Sequence, residues 1–255
     1  MRTLTNYPLL VFVTALIVLW LATRAGVGAA KKWRTQEDDA HDGFDVVRGA
    51  TLTMLGLIIG FSFSMAISRY DQRKTYEEAE ANAIGTEYLR ADLLPSEDAK
   101  QVRALLRDYL DQRMLFYTTR DEQALRQVDA RTAQLQAGLW SAVRAPAEAQ
   151  PTPIIALAVA GMNDVLNSQG YTQAAWWNRI PEAAWGLMAV FAVFGNLLLG
   201  YGARDARTGR RMRLVLPLVV SIAFFLIADI DSPRQGVIRV NPQNLLSLAQ
   251  SLRAQ

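Results

Sequence analysis

Four uncharged apolar runs constrain this chain more than any other feature: Tyr7–Thr23, Ala50–Ser68, Ala183–Ala203 and Leu214–Ala228. A helix rises about 1.5 Å per residue and a hydrocarbon core is about 30 Å thick, so runs of this length are membrane spans. Inside lipid every backbone N–H and C=O must find a partner within the protein, which restricts such runs to helices. The fold class that follows is all-α: a polytopic membrane protein with four transmembrane helices and a helical extramembrane domain between the second and third.

The first run, "YPLLVFVTALIVLWLAT", has a rival reading as a signal peptide, with Arg2 as a thin charged region and "GVGAA" (Gly26–Ala30) as a cleavage site. The "KKWR" that follows fits a stop-transfer flank, and we read a retained anchor. The third run has one polar interruption, Asn196, and the fourth carries Pro217 near its start, where a missing N–H costs little. Four regions follow: residues 1–68 with the first helix pair, 69–181 as a helical extramembrane domain, 182–231 with the second pair, and 232–255 as a C-terminal tail.

Within 69–181 the helices are legible from spacing. Ser96 in "PSEDA" is an expected N-cap, with Glu97 and Asp98 suiting the positive helix end. From there Val102, Leu105, Leu106, Tyr109, Leu110 and Phe116 recur at helical intervals. A second helix is predicted over Glu122–Val143, with Leu125, Val128, Leu135 and Leu139 on one side. "RAPAEAQPTP" (Arg144–Pro153) reads as a linker. A third helix is predicted over Ile154–Ser168, with Ile155, Ala158, Met162 and Val165 inward.

Much chemistry is excluded. The chain has no Cys and a single His, His41, so thiolate catalysis, iron–sulfur clusters and multi-His metal sites drop out. The acidic segment Glu37–Asp45 fails as a calcium loop, because Ala40 and Gly49 fall where carboxylates are needed; it reads as a solvated loop. No P-loop, GxGxxG, HExxH or GxSxG pattern occurs. We expect no enzyme, no cofactor and no metal. The net charge of +3 does not point to nucleic acid, because the basic residues flank the apolar spans. Ten Lys and Arg lie in the two loops at Arg24–Arg48 and Ala203–Arg213, against seven near the spans on the other side. That count puts those two loops in the cytoplasm.

The second span carries two ladders. Gly56, Gly60, Ser64 and Ser68 are four apart and stack on one helix face, a pattern for close helix packing within a subunit or between subunits. Ile59, Phe63 and Ile67 form a bulky ladder that faces either lipid or a pore, where it would be a hydrophobic constriction. No proline follows before "SRYDQRKTYEEAEANAIGTEYLR", so the helix leaves the bilayer unbroken. Arg69, Asp71, Glu80 and Glu87 lie on that extension, either as a solvated, ion-paired surface or as charged rings of an oligomer that attract ions. Asp229 and Asp231 end the fourth span, with Arg234 just beyond; such charges require water or a partner.

The segments "GLIIGFSFSMAISRYDQRK", "EANAIGTEYLRADLLP", "NRIP" and "FFLIADIDSPRQGVIRV" resemble the bacterial bestrophin-like membrane protein family, over roughly Gly49–Val240. That family bears a distant similarity to bestrophins, pentameric anion channels whose second span lines the pore with bulky apolar residues at i, i+4 and i+8. The resemblance implies a homo-oligomeric anion channel in the bacterial inner membrane, with Ile59, Phe63 and Ile67 at the constriction. Its partners would be the lipid bilayer, further copies of itself and inorganic ions. It also implies a cytoplasmic 69–181 region, opposite to the charge count. The alternative is a non-conducting sensor or scaffold that binds a partner through its helical domain.

Overall fold

The computed structural model describes residues 5–33, 40–202 and 208–254. Arg2, Arg34, Glu37–Asp39 and residues 203–207 of the basic loop, all used in the sequence reading, lie outside the described residues. Eight α-helices and no strand are found among the described residues: α1 (Pro8–Trp33), α2 (Ala40–Arg90), α3 (Ser96–Thr118), α4 (Glu122–Ala149), α5 (Pro153–Trp177), α6 (Glu182–Tyr201), α7 (Thr208–Asp231) and α8 (Gln243–Arg253). The all-α reading with four apolar, membrane-length helices holds.

Contacts divide the chain into two units. One holds Met1–Arg69 and Arg179–Ile238, and the other Tyr70–Asn178 and Arg239–Gln255. The long helix α2 is continuous over 51 residues and supplies its apolar part to the first unit and its polar part to the second.

In the first unit α1 packs against α6 and α7. A Cβ at Gly26 would lie 2.0 Å from the Leu197 carbonyl oxygen, and one at Gly200 2.0 Å from the Thr23 carbonyl oxygen. The two glycines therefore let the α1 and α6 backbones touch, as small residues do in membrane helix pairs. The polar interruption Asn196 lies at the same contact, fully buried, and donates to the Ala192 carbonyl at 2.8 Å. Its Oδ1 is 3.4 Å from the Thr23 hydroxyl. Thus "GVGAA" is part of a packed helix rather than an extended cleavage site.

In the second unit the expected inward residues are buried. Val102, Leu106, Tyr109, Leu110 and Phe116 of α3 meet Val128, Leu135 and Leu139 of α4 and Ile155, Ala158, Met162 and Val165 of α5. Leu105 and Leu125 pack at its edge. The segment read as a tail contributes too: α8 inserts Leu245, Ala249 and Leu252 into this core.

Several helix boundaries correct the sequence reading. Ser96 is the first residue of α3, and Pro95 occupies the cap position. Pro146 lies inside α4 rather than in a linker, because a proline near a helix end removes only one hydrogen bond. The break falls at Gln150 and Thr152, each held out of the helical region by the proline after it. Thr152 then caps α5, accepting from the Ile155 N–H at 3.2 Å. Helix α5 itself runs on to Trp177. Pro217 is well inside α7, not at its start. The acidic loop shortens, since α2 is already helical from Ala40.

Candidate functional site

The apolar part of α2 is the least covered span, with only 17% of its most apolar window buried inside the chain, against 50% for α7. Its covered side is Leu55, Ser62 and Ala66. The close approach there is made by a glycine of the partner helix: a Cβ at Gly195 of α6 would be 3.2 Å from Leu52 Cδ2. Both α2 ladders lie elsewhere. A Cβ added at Gly56 or Gly60 would meet nothing within 4 Å, and Ser64 and Ser68 are exposed. Among the described residues the small-residue ladder is therefore not used for packing inside one chain. Phe63 and Ile67 are 37% and 39% exposed, and Ile59 is half-buried. The chain thus presents an uncovered helix side that carries both an aromatic-containing bulky ladder and a small-residue ladder.

Past Ser68 the same helix changes character. Arg69 is half-buried, with Nη2 3.6 Å from the Met65 sulfur, and Asp71 is exposed. Arg73, Glu77, Glu80 and Glu87 all point into the second unit and are at most 1% exposed. Composition alone suits Glu80 and Glu87 to a solvated surface or a charged ring. Their burial removes both from the surface of the chain. The spacing of four, three and seven residues keeps these four on one helix side, where an apolar stripe would be expected.

Three of the four have a clear structural task. Arg73 donates to the Ala175 and Asn178 carbonyls, both at 3.3 Å, and so satisfies the end of α5. Glu77 accepts from the Asn244 and Leu245 N–H groups, both at 3.0 Å, and from Asn244 Nδ2 at 2.6 Å. It supplies the N-terminal cap that α8, preceded by Pro242, cannot supply itself. Glu80 pairs with the fully buried Arg113 and accepts from Thr172 at 3.1 Å and Tyr117 at 3.3 Å. Arg113 also lies 4.4 Å from the Phe116 ring centre.

Glu87 differs. Its carboxylate lies against the backbone of Gly161, where a Cβ would be 2.1 Å from Oε2. Neither carboxylate oxygen has a hydrogen-bond partner among the described residues. Burial pushes this carboxyl up to about 8; Arg90 draws it down and Asp164 adds to the rise. The group is thus a neutral acid at neutral pH.

At the far end of α7 the boundary carboxylates are also occupied. Asp229 accepts from the Val237 and Ile238 N–H groups at 2.7 and 2.8 Å. Asp231 takes Arg179 Nε at 3.2 Å and the Ile180 N–H at 3.1 Å. Asp231 is therefore paired with Arg179 of "NRIP", whose sequence context marks it only as a charge flanking the third span. Arg179 also reaches the Asn6 side chain. Arg234 is half-buried in the turn that follows. These contacts fasten the loop after α7 and the entry to α6, and they answer the cost of charge at a membrane boundary.

The family model of a Bestrophin-like domain matches residues 9–245. No curated protein matches. Among solved structures, a bacterial bestrophin homologue from Klebsiella pneumoniae is similar at a TM-score of 0.68 and 12% identity, over 95% of this chain and 97% of that chain. A substituted form of the Klebsiella pneumoniae homologue gives a TM-score of 0.67 at 11% identity, over 95% and 94%. Identity this low speaks to the fold alone.

Proposed function

The chain belongs to the Bestrophin-like family, and from that premise we propose that it assembles with copies of itself into an anion channel of a bacterial inner membrane, with α2 lining the conducting path. The observation that carries this reading is the side of α2 that the described residues of its own chain leave uncovered. A lone helix in lipid has no need of a Gly/Ser ladder, since glycine weakens a helix by roughly 0.5–1 kcal/mol relative to alanine. Gly56 and Gly60, open in the single chain, gain a purpose if a neighbouring copy packs on them. Ile59, Phe63 and Ile67, one residue back on the helix, would then face the axis and form a constriction that passes ions only when wetted.

Planar-bilayer recordings of the purified chain test this. Anion-selective unitary currents are expected, and Phe63→Ala is expected to raise conductance by widening the narrowest apolar ring. Silence across ions and voltages would refute the channel and favour the scaffold reading. A conductance untouched by Phe63→Ala would remove α2 from the pore. Particle images with α2 away from any symmetry axis would overturn the same assignment by an independent route.

A further inference from the structure

At the membrane boundary of α1 lies a cleft of about 720 Å³, lined among the described residues by Trp20, Thr23, Arg24, Val27, Gly28, Lys31 and Leu214. Arg24 is the first charge after the uncharged run Tyr7–Thr23, so it stands where hydrocarbon gives way to headgroups. Trp20 sits one turn deeper, the level at which indole rings favour the interface. The Arg24 guanidinium lies 4.8 Å from the Trp20 ring centre, which holds the cation at the rim. Lys31 is two turns further, on the same side of the helix, about 10.5 Å along the axis. Neither Arg24 nor Lys31 pairs with a carboxylate among the described residues.

Two further features fit an occupant. Among the described residues Gly28 opens on free space, with nothing within 4 Å of an added Cβ, whereas Gly26 on the same helix is required for packing. Toward the membrane centre the same side of α1 continues as Ile17 and Val13, 52% and 50% exposed. A charged rim, an interfacial indole and an apolar strip therefore follow one another down one side of a helix. This is the order of phosphate, glycerol and acyl chain in a lipid.

We propose that this cleft binds the phosphodiester headgroup of an anionic phospholipid, with Arg24 and Lys31 on the phosphate, Trp20 at the glycerol level and the acyl chains along Ile17 and Val13. Basic pockets between membrane helices recognise acidic lipids through such contacts. The site is independent of whether the chain conducts ions.

The test is native mass spectrometry of the full chain in neutral detergent, titrated with phosphatidylglycerol or phosphatidylcholine. Phosphatidylglycerol is expected to bind at least about tenfold more tightly, given two cations. Arg24→Ala with Lys31→Ala is expected to bring the two lipids within about twofold of each other. Gly28→Leu, which keeps both charges but fills the open space, is expected to weaken phosphatidylglycerol about fivefold or more. Both variants change exposed or open positions, and thermal melts confirm that they fold. An unchanged preference in the double variant overturns the proposal, as does equal binding of the two lipids by the original chain. Displacement of the lipid by millimolar inorganic phosphate would assign the cleft to a free anion and overturn the lipid reading.

Discussion

Glu87→Gln should flatten the pH dependence of stability. The folded chain holds the Glu87 carboxyl up to about 8, against an ordinary value of 4.5, first because burial penalises its charge. Below pH 4.5 the folded and unfolded chains both carry the proton, and the group favours neither. Between 4.5 and 8 only the folded chain retains it, so unfolding releases a proton and stability falls as pH rises. Above 8 both states are ionised and the loss is complete. Each pH unit in that window is worth about 1.36 kcal/mol, so the full loss is roughly 4–5 kcal/mol. Glutamine has nearly the same shape and does not titrate. It leaves its amide without partners against Gly161, at a cost of about 1–3 kcal/mol that is constant with pH. The variant should therefore be slightly less stable than the original at pH 5 and more stable at pH 9. Thermal melts in neutral detergent at pH 5, 7 and 9, followed by tryptophan fluorescence, measure this. With about 2–4 °C per kcal/mol for a chain of this size, the melting temperatures should change order, moving relative to each other by about 10 °C. Arg90 and Asp164, the charged groups facing Glu87, are unchanged, so the difference between the two profiles isolates it. Parallel profiles would refute the reasoning.

Other expectations follow from the same contacts. Glu80→Gln should cost about 3–5 kcal/mol because it strands the buried Arg113 charge, and Arg113→Met in the same chain should recover much of the loss in melting temperature. Gly200→Ala should destabilise the first unit by about 1–3 kcal/mol or more, since its methyl would meet the Thr23 carbonyl, whereas Gly60→Ala, open in the single chain, should stabilise monomeric protein by about 0.5–1 kcal/mol and weaken assembly. Asp229→Ala leaves the Val237 and Ile238 N–H groups without their acceptor and should cost about 1–3 kcal/mol per group, read as faster hydrogen exchange at those two amides. A cysteine placed at the exposed Glu97, in a chain with no other Cys, should react with impermeant reagents from the cytoplasmic side if the second unit lies there as the bestrophin likeness implies, and labelling from outside would restore the orientation read from charge counts.

The four spans and the all-α class were legible because the bilayer imposes a length and a polarity on any segment that crosses it, and both are local properties of the chain. The inward residues of α3, α4 and α5 were legible for a related reason, since apolar periodicity reports one helix side without reference to its partner. The polar half of α2 was not. Arg73, Glu77, Glu80 and Glu87 have the composition of a solvated surface, and for the first three only their partners make them interior. Those partners lie far along the chain: Asn178 for Arg73, Asn244 for Glu77, Arg113 for Glu80. No local pattern announces a carboxylate that caps a helix 167 residues away. Asp231 and Arg179 are hidden in the same way, across 52 residues. The ladders of α2 mark the same boundary from the other side. Spacing alone revealed that Gly56, Gly60, Ser64 and Ser68 share a face, but lipid, a neighbouring helix and a second copy all favour that spacing. The tertiary structure decided that no helix among the described residues covers it, because the close approach to α2 is made by Gly195 of α6 on a different side.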